Sequence, residues 1–152
     1  MIEEGRPAPD FTLDSDAGEP VTLSSLRGAP VVLYFYPKDD TPGCTAQACA
    51  IRDAWAAYAE RGAVVLGVSP DSAASHVAFK EKYSLPFALL ADEDHAVADE
   101  YGVWKEKTFS GKTYMGIERS TFVIDAEGNV THVMRTVDAA THSEDVLAVL
   151  PA

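Results

Sequence analysis

A continuous run of β-branched and aromatic residues, Val31-Val32-Leu33-Tyr34-Phe35-Tyr36, is stopped by Pro37, and three polar residues later the chain reads Thr41-Pro42-Gly43-Cys44. The run has the composition of a buried core strand. Thr41 suits a helix N-cap, and Pro42 suits the first helical position, where an N–H would have had no partner. Cys44 therefore falls in the first turn of a helix, at the carboxyl end of a core strand. A thiol there sees the positive end of the helix dipole and unpaired backbone N–H groups, both of which favour the thiolate.

Helical geometry says what the second cysteine can do. Apolar positions after the cap fall at Cys44, Ala48, Ile51, Trp55 and Tyr58, in alternating steps of four and three, which places Cys44 on the inward stripe. Cys49, five residues on, lies about 140° around the axis and about 7.5 Å along it. The two Cα atoms are then roughly 8–9 Å apart, beyond the usual limit of about 7 Å for a disulfide. If these thiols pair, the first turns of the helix must unwind. Spacing alone predicts a reduced, wound form and an oxidised, locally unfolded one.

Composition bounds the class. At 152 residues the chain is one domain, 1–152, long enough to bury a full core. Twelve Lys and Arg against 24 Asp and Glu give a net charge of −12, which argues against nucleic acid and anionic membranes as partners. No apolar run reaches the roughly 18 residues of a membrane span, and Met1-Ile2-Glu3-Glu4-Gly5 lacks the basic and apolar regions of a signal peptide. The expectation is a soluble cytoplasmic protein, where thiols stay reduced unless redox-active. Two cysteines in such a chain are ordinarily inert core filler. The Thr-Pro-Gly approach to a helix start, with both cysteines inside six residues, is not something core packing requires.

The remaining chain alternates strands and helices. Phe11-Thr12-Leu13, the turn Asp16-Ala17-Gly18 and Val21-Thr22-Leu23 form an N-terminal hairpin before a short helix at Ser24–Leu26, either a cover over one sheet edge or a plain hairpin. The Cys44 helix runs to a C-cap at Gly62. Ala63–Val68 is a second core strand, parallel to the first through a right-handed crossover. A helix capped by Asp71 or Ser72 follows, with Val77, Ala78 and Phe79 among its apolar residues. Leu85–Leu90 is a third strand with Pro86 at its start or edge. The acidic Asp92-Glu93-Asp94 leads into a short helix near His95–Tyr101, and a metal reading of that run is weak. Residues 102–118 read as a loop or loose hairpin whose aromatics Trp104, Phe109 and Tyr114 pack on the surface or line a site mouth. Arg119–Asp125 and Val130–Arg135 form an antiparallel pair about a turn at 126–129, and Thr141-His142-Ser143-Glu144 caps a last helix with Val146, Leu147 and Leu150 toward the core. The sum is an α/β fold, a mixed sheet covered on both faces.

The run P-K-D-D-T-P-G-C-T-A-Q-A-C resembles the active-site loop of peroxiredoxins, with Pro37, Thr41 and Cys44 in the P-x-x-x-T-x-x-C arrangement. Cys49 resembles the second cysteine of the Q-type group, the bacterioferritin co-migratory proteins. The similarity extends to the opening G-R-P-A-P-D-F-T-L, the later G-I-E-R-S-T-F-V-I-D and the closing helix. It implies a thioredoxin-like fold with an N-terminal hairpin extension. It also implies a thiol peroxidase acting on hydrogen peroxide and organic hydroperoxides, without cofactor or metal, as a monomer or a weak homodimer. Cys44 would attack one peroxide oxygen and become a sulfenic acid. The N–H groups of Gly43 and Cys44 and the Thr41 hydroxyl would hydrogen-bond the peroxide, Pro37 would shield the pocket from water, and Arg119 would hold thiolate and substrate. Cys49 would close an intramolecular disulfide with Cys44, reduced in turn by a thioredoxin-type protein. Gln47 stands where the pattern commonly carries Glu; the amide keeps hydrogen bonding and loses the charge, which leaves its role toward a nearby arginine open.

Two other readings use the same thiols. A thiol–disulfide oxidoreductase would carry C-x-x-C, which the four-residue gap here disfavours. A non-enzymatic redox sensor or holdase would use the disulfide to expose apolar helix surface. Metal binding is poorly supported, because His76, His95, His132 and His142 have no ligand spacing with each other or with the cysteines, and read as surface or packing histidines.

Overall fold

Alternation along the strands divides the apolar residues between the two faces of one sheet. The computed structural model describes residues 2–135 and 137–150, the side chain of Phe109 excepted; Met1, Thr136, Pro151 and Ala152 of the expected domain 1–152 lie outside the described residues. The strands are β1 (Thr12–Ser15), β2 (Pro20–Thr22), β3 (Val31–Phe35), β4 (Val64–Ser69), β5 (Ala88–Ala91), β6 (Trp104–Phe109), β7 (Lys112–Ile117), β8 (Ser120–Ile124) and β9 (Val130–Met134). The helices are α1 (Pro42–Asp53), α2 (Trp55–Glu60), α3 (Ala73–Tyr83), α4 (Ala96–Glu100) and α5 (His142–Val149). Seven strands form a mixed sheet in the order β2-β1-β5-β4-β3-β8-β9, and β6 and β7 form a separate hairpin. β3, β4 and β5 are parallel neighbours, while β1 and β8 join them antiparallel.

Period two decides what each strand residue meets. Val31, Leu33 and Phe35 pack with Leu66, Val68, Leu90, Phe122, Tyr101 and Ile117 on one face. Val32, Tyr34 and Tyr36 pack on the other face with Cys44, Ala48 and Ile51 of α1, Tyr58 of α2, Phe79 of α3 and Val146 of α5. The N-terminal hairpin extends the sheet by pairing β1 with the edge of β5, so it covers that edge by hydrogen bonding. No described helix is long and apolar enough to cross a membrane.

Several expectations need correction. The long helix to Gly62 is two helices, broken at Ala54 (φ −99°, ψ 14°); the change of direction sets the Trp55 ring 6.1 Å from Phe87 while Tyr58 stays buried. Gly62 ends the second with φ +65°, the left-handed conformation that suits glycine. The third strand is shorter than 85–90 and begins after Pro86, at Ala88. The inward face of α3 is His76 and Phe79, whereas Val77 and Ala78 are exposed. Ser72 caps that helix, its hydroxyl accepting from the Ser75 N–H. Thr141 does not cap α5 with its side chain but donates to Asp145 Oδ2 at 3.0 Å. Of the two readings of residues 102–118 the hairpin holds, more regular than expected. β6 and β7 pair in register from Trp104–Ile117 to Phe109–Lys112 around Ser110-Gly111, both at positive φ, as a tight two-residue turn requires.

Candidate active site

β8 runs antiparallel to β3 with Phe35 opposite Ser120, so the residue before β8, Arg119, reaches the sheet edge where the chain leaves β3 for α1. Alternation puts Arg119 on the same side as Thr121 and Val123, the side that α1 covers. A cation and the amino end of a helix therefore converge from positions 75 residues apart.

Cys44 is 2% exposed. An Nη2–H of Arg119 donates to its Sγ at 3.3 Å, and Nη1 donates to Oε1 of the fully buried Gln47. Gln47 lies one turn beyond Cys44 on the same helix, at the i, i+3 spacing that puts both on one face. The amide therefore does orient the arginine, as acceptor rather than as counter-ion. Gly43 makes room for the guanidinium: a Cβ there would stand 3.1 Å from Arg119 Nη2.

Thr41 takes the N-cap backbone conformation (φ −100°, ψ 155°), and its carbonyl accepts the first helical bond, from Thr45 N–H at 2.8 Å. Its side chain does not cap the helix. The hydroxyl donates to the Lys38 carbonyl at 2.9 Å, which turns it back toward the loop and leaves its oxygen as an acceptor. Pro37 follows β3, half-buried.

Cys49 is partly exposed and unbonded to Cys44. It lies in the wall of a different feature, a cleft of about 390 Å³ between α1 and Tyr83, with Pro42, Thr45 and Ala46 beside it. The two thiols occupy different flanks of one continuous helix. At the cleft's rim Asp40, at φ +58°, accepts from Lys82 Nζ at 2.8 Å and Tyr83 Oη at 2.9 Å.

Three participants escaped the sequence reading. Lys107 of β6 is held below the ordinary lysine range by partial burial and by the charge of Arg119, so the hairpin reaches toward the site; the Ser110-Gly111 turn was the signal for it. His142 lies tilted against Tyr34, with ring centroids 5.6 Å apart and planes 49° apart, and its Nε2 lies 2.7 Å from Thr121 Oγ1. His76 is a buried histidine of the α3 inward face, as the packing reading has it, and its Nδ1 also lies 2.7 Å from Asp39 in the loop before α1. Nothing in single-sequence spacing marks either ring.

A model of the AhpC/TSA family matches residues 5–133. Peroxiredoxin Bcp of Bacillus subtilis is 52% identical over 149 residues, 98% of this chain and 95% of that protein. Peroxiredoxin Bcp of Escherichia coli is 46% identical over 146 residues, 96% of this chain and 94% of its own length. Among solved structures, a mutant of Xylella fastidiosa PrxQ superposes with a TM-score of 0.92 at 34% identity, covering 97% of this chain and 94% of that one. The Xanthomonas campestris bacterioferritin comigratory protein gives 0.87 at 41% identity over 92% and 89%. Matched nearly end to end by proteins of one kind, the chain belongs to the AhpC/TSA family, among the peroxiredoxins named Bcp or peroxiredoxin Q.

Proposed function

We propose that this thiol-dependent peroxidase works through Cys44 as the attacking sulfur and Cys49 as its resolving partner. The observation that carries the assignment is the 3.3 Å contact of Arg119 Nη2 with a buried Cys44 Sγ at the first turn of α1. The Cys44 thiolate attacks one oxygen of ROOH, the S–O bond forms as the O–O bond breaks, and the departing RO⁻ leaves as ROH after taking a proton. Negative charge moves from sulfur to the leaving oxygen, and Arg119 with the N–H groups of Gly43 and Cys44 is arranged to follow it. Thr41, its proton engaged by the Lys38 carbonyl, accepts from the peroxide O–H and fixes the approach. Pro37, without an N–H, shields the pocket from water.

The Cys49 thiol then attacks the Cys44 sulfenic acid, forming the S–S bond and releasing water, once the first turns of α1 unwind. A dithiol of the thioredoxin type reduces the disulfide by exchange. Hydrogen peroxide and organic hydroperoxides are the substrates in this reading; the Xanthomonas relative is described with alkyl peroxide reduction activity. A cytoplasmic setting fits a chain whose two cysteines are both free.

NADPH oxidation coupled through thioredoxin reductase and thioredoxin tests the assignment. Cys44→Ser abolishes peroxide consumption. Cys49→Ser consumes one peroxide per chain and stops cycling. If Cys49→Ser cycles at the wild-type rate, Cys49 is not the resolving thiol; if the wild type stops after one stoichiometric oxidation, the redox-sensor reading replaces the peroxidase.

A further inference from the structure

Behind the loop that presents Thr41 lies a carboxylate almost without solvent. Asp39 is 7% exposed. It accepts from Tyr36 Oη at 2.6 Å, from Ser75 Oγ at 2.8 Å and from His76 Nδ1 at 2.7 Å, and its own N–H donates to Asp71 Oδ2 at 2.8 Å. His76 is 0% exposed, and its other ring nitrogen, Nε2, lies 2.8 Å from the Leu90 carbonyl oxygen. A carbonyl only accepts, and so does a carboxylate, so a ring placed between them must carry a proton on both nitrogens. The hydroxyls of Tyr36 and Ser75, both donating to Asp39, treat it as an acceptor too. The pair is a buried imidazolium and carboxylate.

The titratable groups facing the ring come from each element around it. They are Tyr36 at the end of β3, Asp39 in the loop and Asp71 between β4 and α3, while β5 offers the Leu90 carbonyl. Tyr36 is kept neutral by burial. One turn along α3, Lys80 is taken by Asp16 at 2.7 Å. Burial opposes the charge on His76, but the hydrogen bond and charge of Asp39, the Leu90 carbonyl and Asp71 together outweigh it, so the ring keeps its proton above the ordinary histidine range.

We propose that His76 is a positioning residue for the peroxide reaction: by gripping Asp39 it fixes the loop from which Thr41 and the amino end of α1 meet the peroxide. Asp39 stands two residues before Thr41, and its side chain ties the loop to β3 and α3 from beneath, where the rim contacts of exposed Asp40 cannot. Removing the ring proton leaves one nitrogen with a lone pair facing either the carboxylate or the carbonyl. One of the two contacts is then lost, an uncompensated charge remains buried, and the loop loosens.

The inference rests on the peroxidase reading, and its test separates the two. In ¹⁵N-labelled reduced protein at pH 7, both His76 ring nitrogens give protonated signals; raising the pH removes one, and the amides of Asp39 and Thr41 shift with the same midpoint. The second-order rate constant for peroxide falls about tenfold through that midpoint. In His76→Gln the rate is about tenfold lower at pH 7 and that alkaline limb is absent. A neutral ring at pH 7, loop amides indifferent to its titration, or an alkaline limb kept unchanged in His76→Gln overturns the proposal. The ring and amide titrations decide the matter in the wild type even if His76→Gln does not fold. A wild type that consumes no peroxide overturns the peroxidase reading, while the ring titration still reports on the anchor.

Discussion

At the scale of single residues, the site depends on how Arg119 is held. Its guanidinium divides two donors between a sulfur and an amide oxygen, so its aim is set from two points. Gly43 supplies the space, and a methyl group 3.1 Å from Nη2 would push the guanidinium aside. Gly43→Ala is therefore expected to slow the reaction of Cys44 with hydrogen peroxide about tenfold, the effect of weakening one charge-assisted hydrogen bond by roughly 1.4 kcal/mol. Stopped-flow tryptophan fluorescence measures it, with unchanged far-ultraviolet dichroism as the control. Gln47→Leu removes the acceptor for Nη1 and leaves a buried donor unpaired. Its loss lies between about 10- and 100-fold, as expected for about 1.5–3 kcal/mol. A rate within twofold of wild type would show that Gln47 does not orient Arg119. The motif brought Cys44, Thr41 and Pro37 forward as candidates in the sequence, because all three lie within eight residues. That the Thr41 hydroxyl points to the Lys38 carbonyl instead of capping α1 was not legible, since both geometries satisfy the same residue.

At the scale of elements, the proposed cycle turns on α1. Its continuous turns from Pro42 to Asp53 hold Cys44 against the sheet and Cys49 in the cleft wall. A Cys44–Cys49 disulfide would have to break the first turns, because two Cα atoms five helical residues apart cannot be bridged. Amide hydrogen exchange is expected to show residues 45–49, whose N–H groups bond within the helix, protected in the reduced protein and exchanging at least tenfold faster in the disulfide form, with Ile51 and its neighbours unchanged. Equal protection in both forms would exclude the unwinding. The break at Ala54 was not visible in the apolar spacing, which runs through it unaltered; only the positions of Phe87 and the core require the bend. The β6–β7 hairpin was read only as a loop or loose hairpin for a different reason. Lys105, Lys107, Thr108, Lys112 and Thr113 dilute the alternation, so the Ser110-Gly111 turn was the one strong cue.

At the scale of the whole molecule, two buried histidines answer pH with opposite sign. His142 is pulled down to about 4 by burial and, next, by the positive charge of Arg119. A histidine depressed in the fold leaves the unfolded chain binding more protons between about pH 6.5 and 4. Its contribution is present above that window and is lost as pH falls through it, on the order of 3 kcal/mol in all. Urea denaturation at pH 7, 5.5 and 4 is expected to show that loss, with a smaller slope in His142→Gln. An equal slope in the variant would assign acid lability to the carboxylates alone. His76 is raised, so its contribution is present below the ordinary histidine range and is lost as pH rises through its folded value. The protein thus keeps one ring neutral beside Arg119 and one ring charged beneath the active-site loop, and its stability is greatest between the two titrations.

By itself the sequence determined the strand-to-helix turn, the inward position of Cys44, the outward position of Cys49 and the distance that separates them. These are local matters, set by periodicity, a proline and a threonine. The strand order, the convergence of Arg119 on Cys44 from 75 residues away, the acceptor role of Gln47 and the charge on His76 belong to the tertiary structure alone. Each depends on which groups a side chain meets after distant strands have paired, and a hydrogen bond or a buried charge has no meaning until its partner and its solvent are known.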